Sequence, residues 1–492
     1  MRILALLLFS LLNLSGASWY VDNAATGTRN GTSWANAWTN FASISGPAAG
    51  DTVYISGGTV SKTYYDIYLP TINGTAGNPV TYSVGQDSGH NGIIIWDGRN
   101  DVASVSFLYG ASKNVVVTGN YNNETHLILT NQTPGSGIHL DNSSDVRLEH
   151  IRMYSQMRFN PGTNIHIANC YIKPPALISA GINFTLYTKT GDAVGVTNSS
   201  VRNCQLVMPC SSNNPAWGAD HIKGGTSVSA VSNVFSVYYV TNDVEWEHTD
   251  GWQNLTGSNC RVEGNQFYNI SNYGIFWEAT VAFSNIWIFN NVFANNDSMY
   301  HASNLTVSIV VAQRTPGTTN FNIVVANNTI VDMFGRTAMT FGDDPSETNT
   351  WLNCVVANNL MYNSGKAGSY PAVDLVLGPG GTNGWSMLNN KAISGIRGTN
   401  VINPSQLATA GGDNAIAFTS YTELSSANNF RLLSTDTAAK DVGFSLSSYF
   451  TADADGNTRS GTWDLGAYEY VNTLVIVTNA ARAVRLKGLR GL

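Results

Sequence analysis

A short phrase of apolar and polar residues recurs along the chain from about residue 110. An apolar residue is followed by any residue, then Asn or Gly, then Asn or Cys, then any residue, then a second apolar residue. Clear copies begin at Val117, Ile167, Val201, Val262, Ile288, Val325 and Val356, and weaker copies at Leu148, Ala230 and Met387. Alternating apolar residues on both sides of an Asn-rich corner predict two short strands that meet at a bend.

The spacing of the phrase predicts how these strands are arranged. Its fourth position falls at residues 120, 151, 170, 204, 233, 265, 291, 328, 359 and 390, in steps of 19 to 37 residues that average 30. Such a period is typical of a solenoid, and the 3.6-residue stripes of helical repeats are absent. We therefore expect an all-β fold, a right-handed parallel β-helix solenoid. Equivalent residues would stack about 4.8 Å apart, with the corner Asn side chains forming a ladder.

The ends of a solenoid expose unpaired strand edges and need caps. The sequence divides into a signal peptide at 1–17, an N-terminal cap at 18–60, the β-helix at 61–395, a C-terminal closing segment at 396–470 and a tail at 471–492. We expect both caps to be irregular or partly antiparallel.

The first seventeen residues predict export. Met1-Arg2 precedes an apolar run from Ile3 to Leu14, and the small residues Ser15-Gly16-Ala17 follow, so cleavage is expected after Ala17. No other stretch approaches the roughly 18 apolar residues of a transmembrane segment. The mature protein is expected to be secreted or on the cell surface.

Composition narrows the class of partner. Only 12% of residues are charged, against roughly 25% in an average protein, and 47 residues are Gly, which suits many tight turns. The formal net charge of −7 argues against nucleic acid as a partner. Among five cysteines, Cys170 and Cys204 would be neighbours on the ladder. Their spacing permits a disulfide, but the sequence favours two buried thiols.

Two end segments carry a resemblance to a known family. Near the start are Trp19-Tyr-Val-Asp-Asn23, Gly31-Thr-Ser-Trp34 and Gly50-Asp-Thr-Val-Tyr-Ile55; near the end are Asn429-Phe-Arg-Leu432, Asp455-Gly456, Arg459 and Asp464-Leu-Gly-Ala-Tyr-Glu469. With the central repeat, residues 19 to 470 resemble secreted bacterial β-helix proteins of the pectin-lyase-like superfamily. The resemblance implies the fold; the superfamily includes lyases, hydrolases, epimerases and non-catalytic surface proteins.

A second phrase, polar, Gly or His, apolar, polar, marks the strand where chemistry is expected. Its copies include Asp220-His-Ile-Lys223 and Asp250-Gly-Trp-Gln253 on consecutive coils. If Ile222 and Trp252 point inward, strand alternation sends Lys223 and Gln253 to solvent. Asp220 and Asp250 would then stack one rung apart, where two carboxylates repel unless one is protonated or a cation lies between them.

These positions give a set of candidate site residues. Predicted catalytic residues are Lys223, His248, Asp220 and Asp250. Predicted substrate-binding residues are Gln253, Trp217, Trp246 and Arg261. A Ca²⁺ site would use Asp220, Asp250, Glu245 and Glu247. The alternative for each Asp is a purely structural role, capping a turn with hydrogen bonds to backbone amides.

Three functions remain open, each with a polysaccharide as partner. The favoured one is a polysaccharide lyase that cleaves a uronate-containing polymer by β-elimination, with Lys223 or His248 removing the proton. A glycoside hydrolase would use the paired carboxylates. A non-catalytic glycan-binding or adhesin-like surface protein needs no catalytic residues.

Overall fold

A computed structural model describes most of the chain. The described residues are 16–66, 69–70, 72–99, 107–131, 137–159, 161–174, 180–183, 195–210, 220–239, 249–296, 307–333, 337–342, 348–364, 373–376, 384–392, 396–399 and 415–472. The predicted signal peptide therefore lies almost wholly outside the described residues, as does nearly all of the predicted tail.

Three parallel sheets, here called A, B and C, run the length of the stack, and the chain passes through them in that order on each coil. Described sheet A contains Ser18–Val21, Thr52–Ile55, Val80–Val84, Lys113–Thr118, Ser143–Glu149, Gly162–Ala168, Val196–Arg202, Thr226–Val231, Cys260–Glu263, Ser284–Phe289, Thr319–Ala326, Thr350–Leu352, Cys354–Ala357 and Trp385–Leu388. Described sheet B contains Ser61–Tyr64, Ile93–Asp97, Leu127–Thr130, Ile151–Met153, Tyr171–Ile172, Gln205–Cys210, Val234–Tyr239, Gln266–Tyr268, Val292–Ala294, Thr329–Val331, Leu360–Tyr362 and Lys391–Ala392. Described sheet C contains Leu108–Tyr109, Gly137–Leu140, Gln156–Phe159, Ala180–Asn183, Asp220–Lys223, Trp252–Asn254, Tyr273–Ala279, Val307–Gln313, Met339–Phe341, Val373–Val376 and Ile396–Thr399.

Few described elements lie outside these sheets. They are a 3₁₀ turn at Phe41–Ser43, an antiparallel pair of Asn120–Tyr121 with Glu124–Thr125, and a second antiparallel pair of Phe418–Ser420 with Asn429–Leu432. The all-β parallel β-helix predicted from the repeat is confirmed. The range predicted as an N-terminal cap, 18–60, includes the first two strands of sheet A, which pair in parallel with Ser18 opposite Thr52.

Inward residues of the three sheets fill one continuous core. Phe235, Phe267 and Phe293 occupy the same position of sheet B on successive coils, with ring centroids 4.5 and 4.6 Å apart. Trp252 and Trp277 are fully buried in sheet C, where each indole N–H donates to a backbone carbonyl. Side chains alternate between the two faces of each strand, and the strands of successive coils pair in register. Equivalent inward residues therefore stack on one another.

The predicted Asn ladder stands at the corner between sheets A and B. Asn233, Asn265, Asn291, Asn328, Asn359 and Asn390 follow one another on successive coils. Each side-chain oxygen accepts from the backbone N–H of the preceding rung, at 2.9 to 3.1 Å. Because the side-chain N–H groups also donate to carbonyls or to the next rung, these buried amides are satisfied.

The residue before each ladder position adopts a left-handed backbone. Asn169, Asn203, Asn290, Asn327 and Asn358 all have φ between 50 and 56°. A left-handed conformation strains most side chains but is tolerated by Asn and Gly. This explains why the third position of the phrase is Asn or Gly.

One predicted ladder position, residue 120, is wrong. Leu127, not Asn120, lies in register with Ile151 on the next coil. The corner here is extended by the antiparallel pair at 120–125, and the N–H of His126 donates back to the carbonyl of Gly119. The sequence here matches the phrase, but the chain forms a local hairpin before it reaches the ladder corner.

Cys170 and Cys204 continue the ladder toward the N-terminus as buried free thiols, as predicted. The N–H of Cys170 points at the sulfur of Cys204 at 3.4 Å, and the N–H of Cys204 donates to Asn233 Oδ1 at 2.9 Å. Sulfur is a weak acceptor, so the ladder weakens at this end.

The closing segment, described over 415–472, runs along the side of the last coils. Asn290, Asn327, Asn358 and Asn389 donate from their side chains to carbonyls of this segment. Its apolar residues cover outward-facing side chains of sheets A and B, such as Phe289 against Phe450 and Val331 near Leu465. The contacts of this segment therefore follow the stack lengthwise, where a cap across its end was expected.

Candidate functional site

The predicted site lies where sheet B turns into sheet C. Lys223 pairs in register with Gln253, and Ile222 pairs with Trp252. Ile222 and Trp252 are fully buried, as the prediction requires. Gly251 is needed on this turn because a Cβ there would meet the ring of Phe267 at 2.6 Å. This close approach accounts for the Gly of the second phrase.

Asp220 and Lys223 form an ion pair on one strand. Lys223 Nζ lies 3.4 Å from Asp220 Oδ2, and the Lys223 side chain is 14% exposed. Asp220 itself is 3% exposed. Burial raises the pKa of Asp220 to about 6, against the opposing effects of Lys223 and the Asp250 N–H. Its carboxyl group therefore titrates near neutrality, in the range useful for acid–base chemistry.

Asp250 lies one rung above Asp220 and is buried more deeply. Its N–H donates to Asp220 Oδ1 at 3.3 Å. Its own Oδ1 accepts from Asn272 Nδ2 at 2.9 Å and from the N–H of Tyr273 at 3.0 Å. Its Oδ2 is buried and has no hydrogen-bond partner among the residues that the structure describes. Burial, and then the charge of Asp220, raise the pKa of Asp250 well above its usual range, so this carboxyl is neutral when Asp220 is ionised.

The register of sheet C extends the site beyond these residues. One register position of sheet C, here called the polar column, is occupied on successive coils by His139, Arg158, Asn183, Lys223 and Gln253. Arg158 Nη2 lies 3.4 Å from Asp141 Oδ2, and both side chains are 39% exposed. The column combines cationic and neutral polar residues on one face of the solenoid.

Arg158 is the residue that sequence reasoning missed. Its strand, Gln156–Phe159, belongs to the shortest coil and lacks the Gly or His of the second phrase, so no copy was recognised between His139 and Asn183. The signal was available in the alternation of Gln156-Met-Arg-Phe159, in which Met157 and Phe159 are buried and Arg158 lies between them.

The other predicted site residues divide into two groups. Arg261 lies on sheet A, where its Nε donates to Glu263 Oε2 at 2.9 Å and its guanidinium lies 4.6 Å from the ring centroid of Phe289. It therefore does not join Lys223 and Gln253, which belong to sheet C. Trp217, Glu245, Trp246, Glu247 and His248 lie outside the described residues.

The described residues do not by themselves make the predicted calcium site. Ca²⁺ needs six to eight oxygen ligands. Asp220 Oδ2 faces the ammonium group of Lys223, and Asp250 Oδ1 faces two N–H donors. Within the described ranges no group of three or more His, Cys, Asp or Glu side chains could hold a metal ion. The calcium prediction thus depends on Glu245 and Glu247 and stays a prediction.

Comparisons with known proteins give similarity at the level of fold. No family model matches the chain, and no curated protein matches it. Among solved structures, pectate lyase Pel9A is 13% identical, with 93% of this chain and 97% of that chain covered and a TM-score of 0.38. A rhamnogalacturonan lyase is 12% identical over 64% of this chain and 82% of that chain, with a TM-score of 0.36. The lacto-N-biosidase of Eubacterium ramulus is 11% identical over 78% of this chain and 67% of that chain, with a TM-score of 0.35.

At these identities and scores the neighbours carry no argument about activity, and the fold rests on the sheets and the ladder described above. In the described residues no helix is long and apolar enough to cross a bilayer. By its three parallel sheets and its corner ladder, the chain is a parallel β-helix protein.

Proposed function

We propose that this is a secreted carbohydrate-active protein, a polysaccharide lyase that binds a uronate-containing polymer along the polar column and cleaves it by β-elimination. The observation that carries the proposal is the placement of Arg158 and Lys223 on one outward column of sheet C. Two cations on one face of a chain with net charge −7 create a local site for an acidic polymer.

The reaction assigns a role to each group. A base removes the proton from the carbon that bears the carboxylate, the electron pair forms a carbon–carbon double bond, and the glycosidic C–O bond breaks. Arg158 would neutralise the substrate carboxylate, which makes that proton more acidic. The base would be His248 or, in its deprotonated form, Lys223, and the leaving oxygen takes up a proton from water.

Asp220 is proposed to hold Lys223 at the column. The 3.4 Å ion pair fixes the ammonium end of a long side chain that would otherwise sample many rotamers. Asp220 accepts the N–H of Asp250 through its other oxygen, so the carboxyl group is held from two sides. The pair thereby places Lys223 next to Gln253.

The burial of both carboxyl groups argues against a hydrolase. A retaining or inverting glycosidase needs two carboxyl groups that reach opposite sides of the scissile bond. Asp220 and Asp250 are 3% and 1% exposed and are engaged with Lys223 and Asn272. A non-catalytic glycan-binding protein would use the same column without turnover and is the second candidate.

The test is incubation of the full chain with a panel of acidic and neutral polysaccharides, read by the ultraviolet absorbance of the unsaturated product. Lys223→Ala should reduce turnover about 10²- to 10⁴-fold if Lys223 is the base. The matched control is Arg147→Ala, which removes an ion-paired Arg from the outer face of sheet A and should leave turnover unchanged. Binding of an acidic polymer without product would favour the second candidate, and product from neutral polymers alone would overturn the proposal.

Calcium dependence can be tested in the same assay. If Asp220 and Asp250 join Glu245 and Glu247 around Ca²⁺, a chelator should abolish turnover and added Ca²⁺ should restore it. Unchanged activity after exhaustive chelation would contradict the calcium prediction and leave the lyase proposal in place.

A further inference from the structure

The two cations of the polar column are not on adjacent rungs. Arg158 pairs in register with Asn183, and Asn183 pairs with Lys223. Since neighbouring strands are about 4.8 Å apart, the backbones that carry the cations are roughly 9.6 Å apart. The register position between them holds an uncharged residue, and the position after Lys223 holds another, Gln253.

The carboxyl groups that pair with these cations do not change this order. Asp141 and Asp220 lie outside the polar column: Asp220 is on the strand of Lys223, and Asp141 directly follows Gly137–Leu140, the strand one coil before that of Arg158. Beyond Gln253 the column continues with Phe276 and Val310, both apolar. From Arg158 to Val310, cationic side chains, each paired with a carboxylate, therefore occupy two alternate rungs of the column and none beyond them.

We infer that the polar column selects an extended acidic polysaccharide that presents a carboxylate on every second sugar unit along one edge. This inference rests on the proposed function, because it deepens the chemistry of the same site. A pyranose unit in an extended chain is close in length to one rung, so a polymer lying along the column places about one sugar opposite each register position.

The discrimination follows from the cost of an unmatched charge. A carboxylate on every sugar along one edge would put one opposite the uncharged rung, where it loses water without gaining a cation. A carboxylate on every second sugar meets Arg158 and the protonated form of Lys223 and leaves a neutral sugar between them; in this arrangement His248 is the base. Two sources share this chemistry: a copolymer of alternating uronic acid and neutral sugar, and a twofold homopolymer whose successive carboxylates point to opposite edges.

The experiment measures binding of four polymers of equal length to the full chain by calorimetry. They are an alternating acidic–neutral copolymer, a twofold polyuronate, a threefold polyuronate and a neutral polymer. We expect the first two to bind about tenfold more tightly than the threefold polyuronate. A preference for the copolymer alone, or for both, identifies the source. Equal binding of all three acidic polymers would overturn the inference.

Two variants sharpen the test. Asn183→Arg places a third cation on the uncharged rung and should raise affinity for the threefold polyuronate about tenfold, while affinity for the copolymer changes little. Arg158→Gln should weaken the copolymer about tenfold and remove the preference, whereas Arg147→Ala on sheet A should do neither. If Asn183→Arg fails to fold, the binding measurements on Arg158→Gln still test the inference.

The outcomes separate this inference from the proposed function. If acidic polymers are bound or cleaved with no preference between spacings, only the inference fails. If no acidic polymer binds, both fail.

Discussion

Two corners of the same coil bury polar side chains on successive rungs, but they solve the problem differently. At the corner of sheets A and B, the Asn residues are neutral and self-complementary, each accepting from one rung and donating to another. At the corner of sheets B and C, two carboxyl groups stack, and the charge of Asp220 raises the pKa of Asp250, so the two do not ionise together readily. Among the described residues, Asp250 Oδ2 has no hydrogen-bond partner.

The difference separates stability from function. A satisfied polar stack stabilises and aligns the coils, and nothing in it is available to react. A buried stack of acidic groups destabilises the fold. Local conflicts of this kind concentrate at functional sites, where the groups have a role that outweighs the cost. We therefore expect changes in the Asn ladder to cost stability, and changes in the Asp pair to alter charge and activity with little cost.

The largest effect is expected from Asn328→Ala in the middle of the ladder. The change removes the acceptor of two N–H groups of Asn291 and the donor to Ile288 O and Asn359 Oδ1. These buried groups would be left unsatisfied, at a cost of about 3–5 kcal/mol in the free energy of unfolding. Chemical denaturation measures it.

The matched control is Asn285→Gly in a second row of Asn residues on sheet A. Asn285 has φ of 56° and donates to Asn259 Oδ1 at 2.7 Å outside the core. Gly keeps the left-handed backbone, so the loss should stay below about 0.5 kcal/mol. Similar losses for both variants would contradict the view that burial of the ladder is what matters.

A smaller effect, of defined sign, is expected for Asp220→Asn. The pKa of Asp220 is about 6 in the folded protein against 3.8 for a free group, so the folded state keeps a proton that the unfolded state releases between these values. The stability due to Asp220 is fully present below pH 3.8 and is lost as pH rises through 6. Relative to Asp220→Asn, the wild-type protein should lose on the order of 3 kcal/mol across this window.

The measurement must be a difference between the two proteins. Burial lowers the pKa of His221 to about 4, which gives a contribution of opposite sign: stability rises with pH between about 4 and 6.5. His221 is unchanged in the variant, so subtracting the two pH profiles of unfolding free energy removes its contribution and leaves that of Asp220 together with the effect of Asp220 on Asp250. A difference that is flat from pH 4 to 7 would show that the carboxyl group is not perturbed.

The sequence predicts the fold well because the repeat exposes it directly. The third position of the phrase needs a left-handed backbone and the fourth needs a ladder amide, and Asn meets each of these requirements, so the Asn pairs mark the corner of the coil. The ladder position predicted at Asn120 was wrong because hairpin turns favour Asn as strongly as the ladder corner does. The lengthwise course of residues 415–472 was missed, although Val324, Val331 and Leu360 break the apolar–polar alternation where that segment covers them.

The site was harder to predict because its geometry depends on register across coils of unequal length. Asp220, Lys223, Asp250 and Gln253 lie together because their phrases are similar and lie on consecutive coils, while their roles stay predictions. Arg158 lacked the phrase, and Arg261 was assigned by closeness in sequence alone. Ten residues after Asp250, the chain has already entered sheet A.

The smallest effect is expected from extending the ladder by one residue with Cys204→Asn. The Cys170 N–H now points at a sulfur at 3.4 Å, and Cys204 Sγ lies 3.8 Å from Ile167 O, where Asn233 makes a 2.9 Å bond to the equivalent Val201 O. An amide at 204 can accept from Cys170 and donate to Ile167, so the variant should be more stable by about 0.5–1 kcal/mol.

Cys260→Asn is the contrasting variant, because Cys260 is fully buried in sheet A away from the ladder. There the same amide lacks the ladder's ready partners and should cost about 1–3 kcal/mol. If both variants lower the free energy of unfolding by the same amount, a new Asn does not stabilise the ladder at position 204. The stability of the ladder would then depend on more than the hydrogen bonds of each rung.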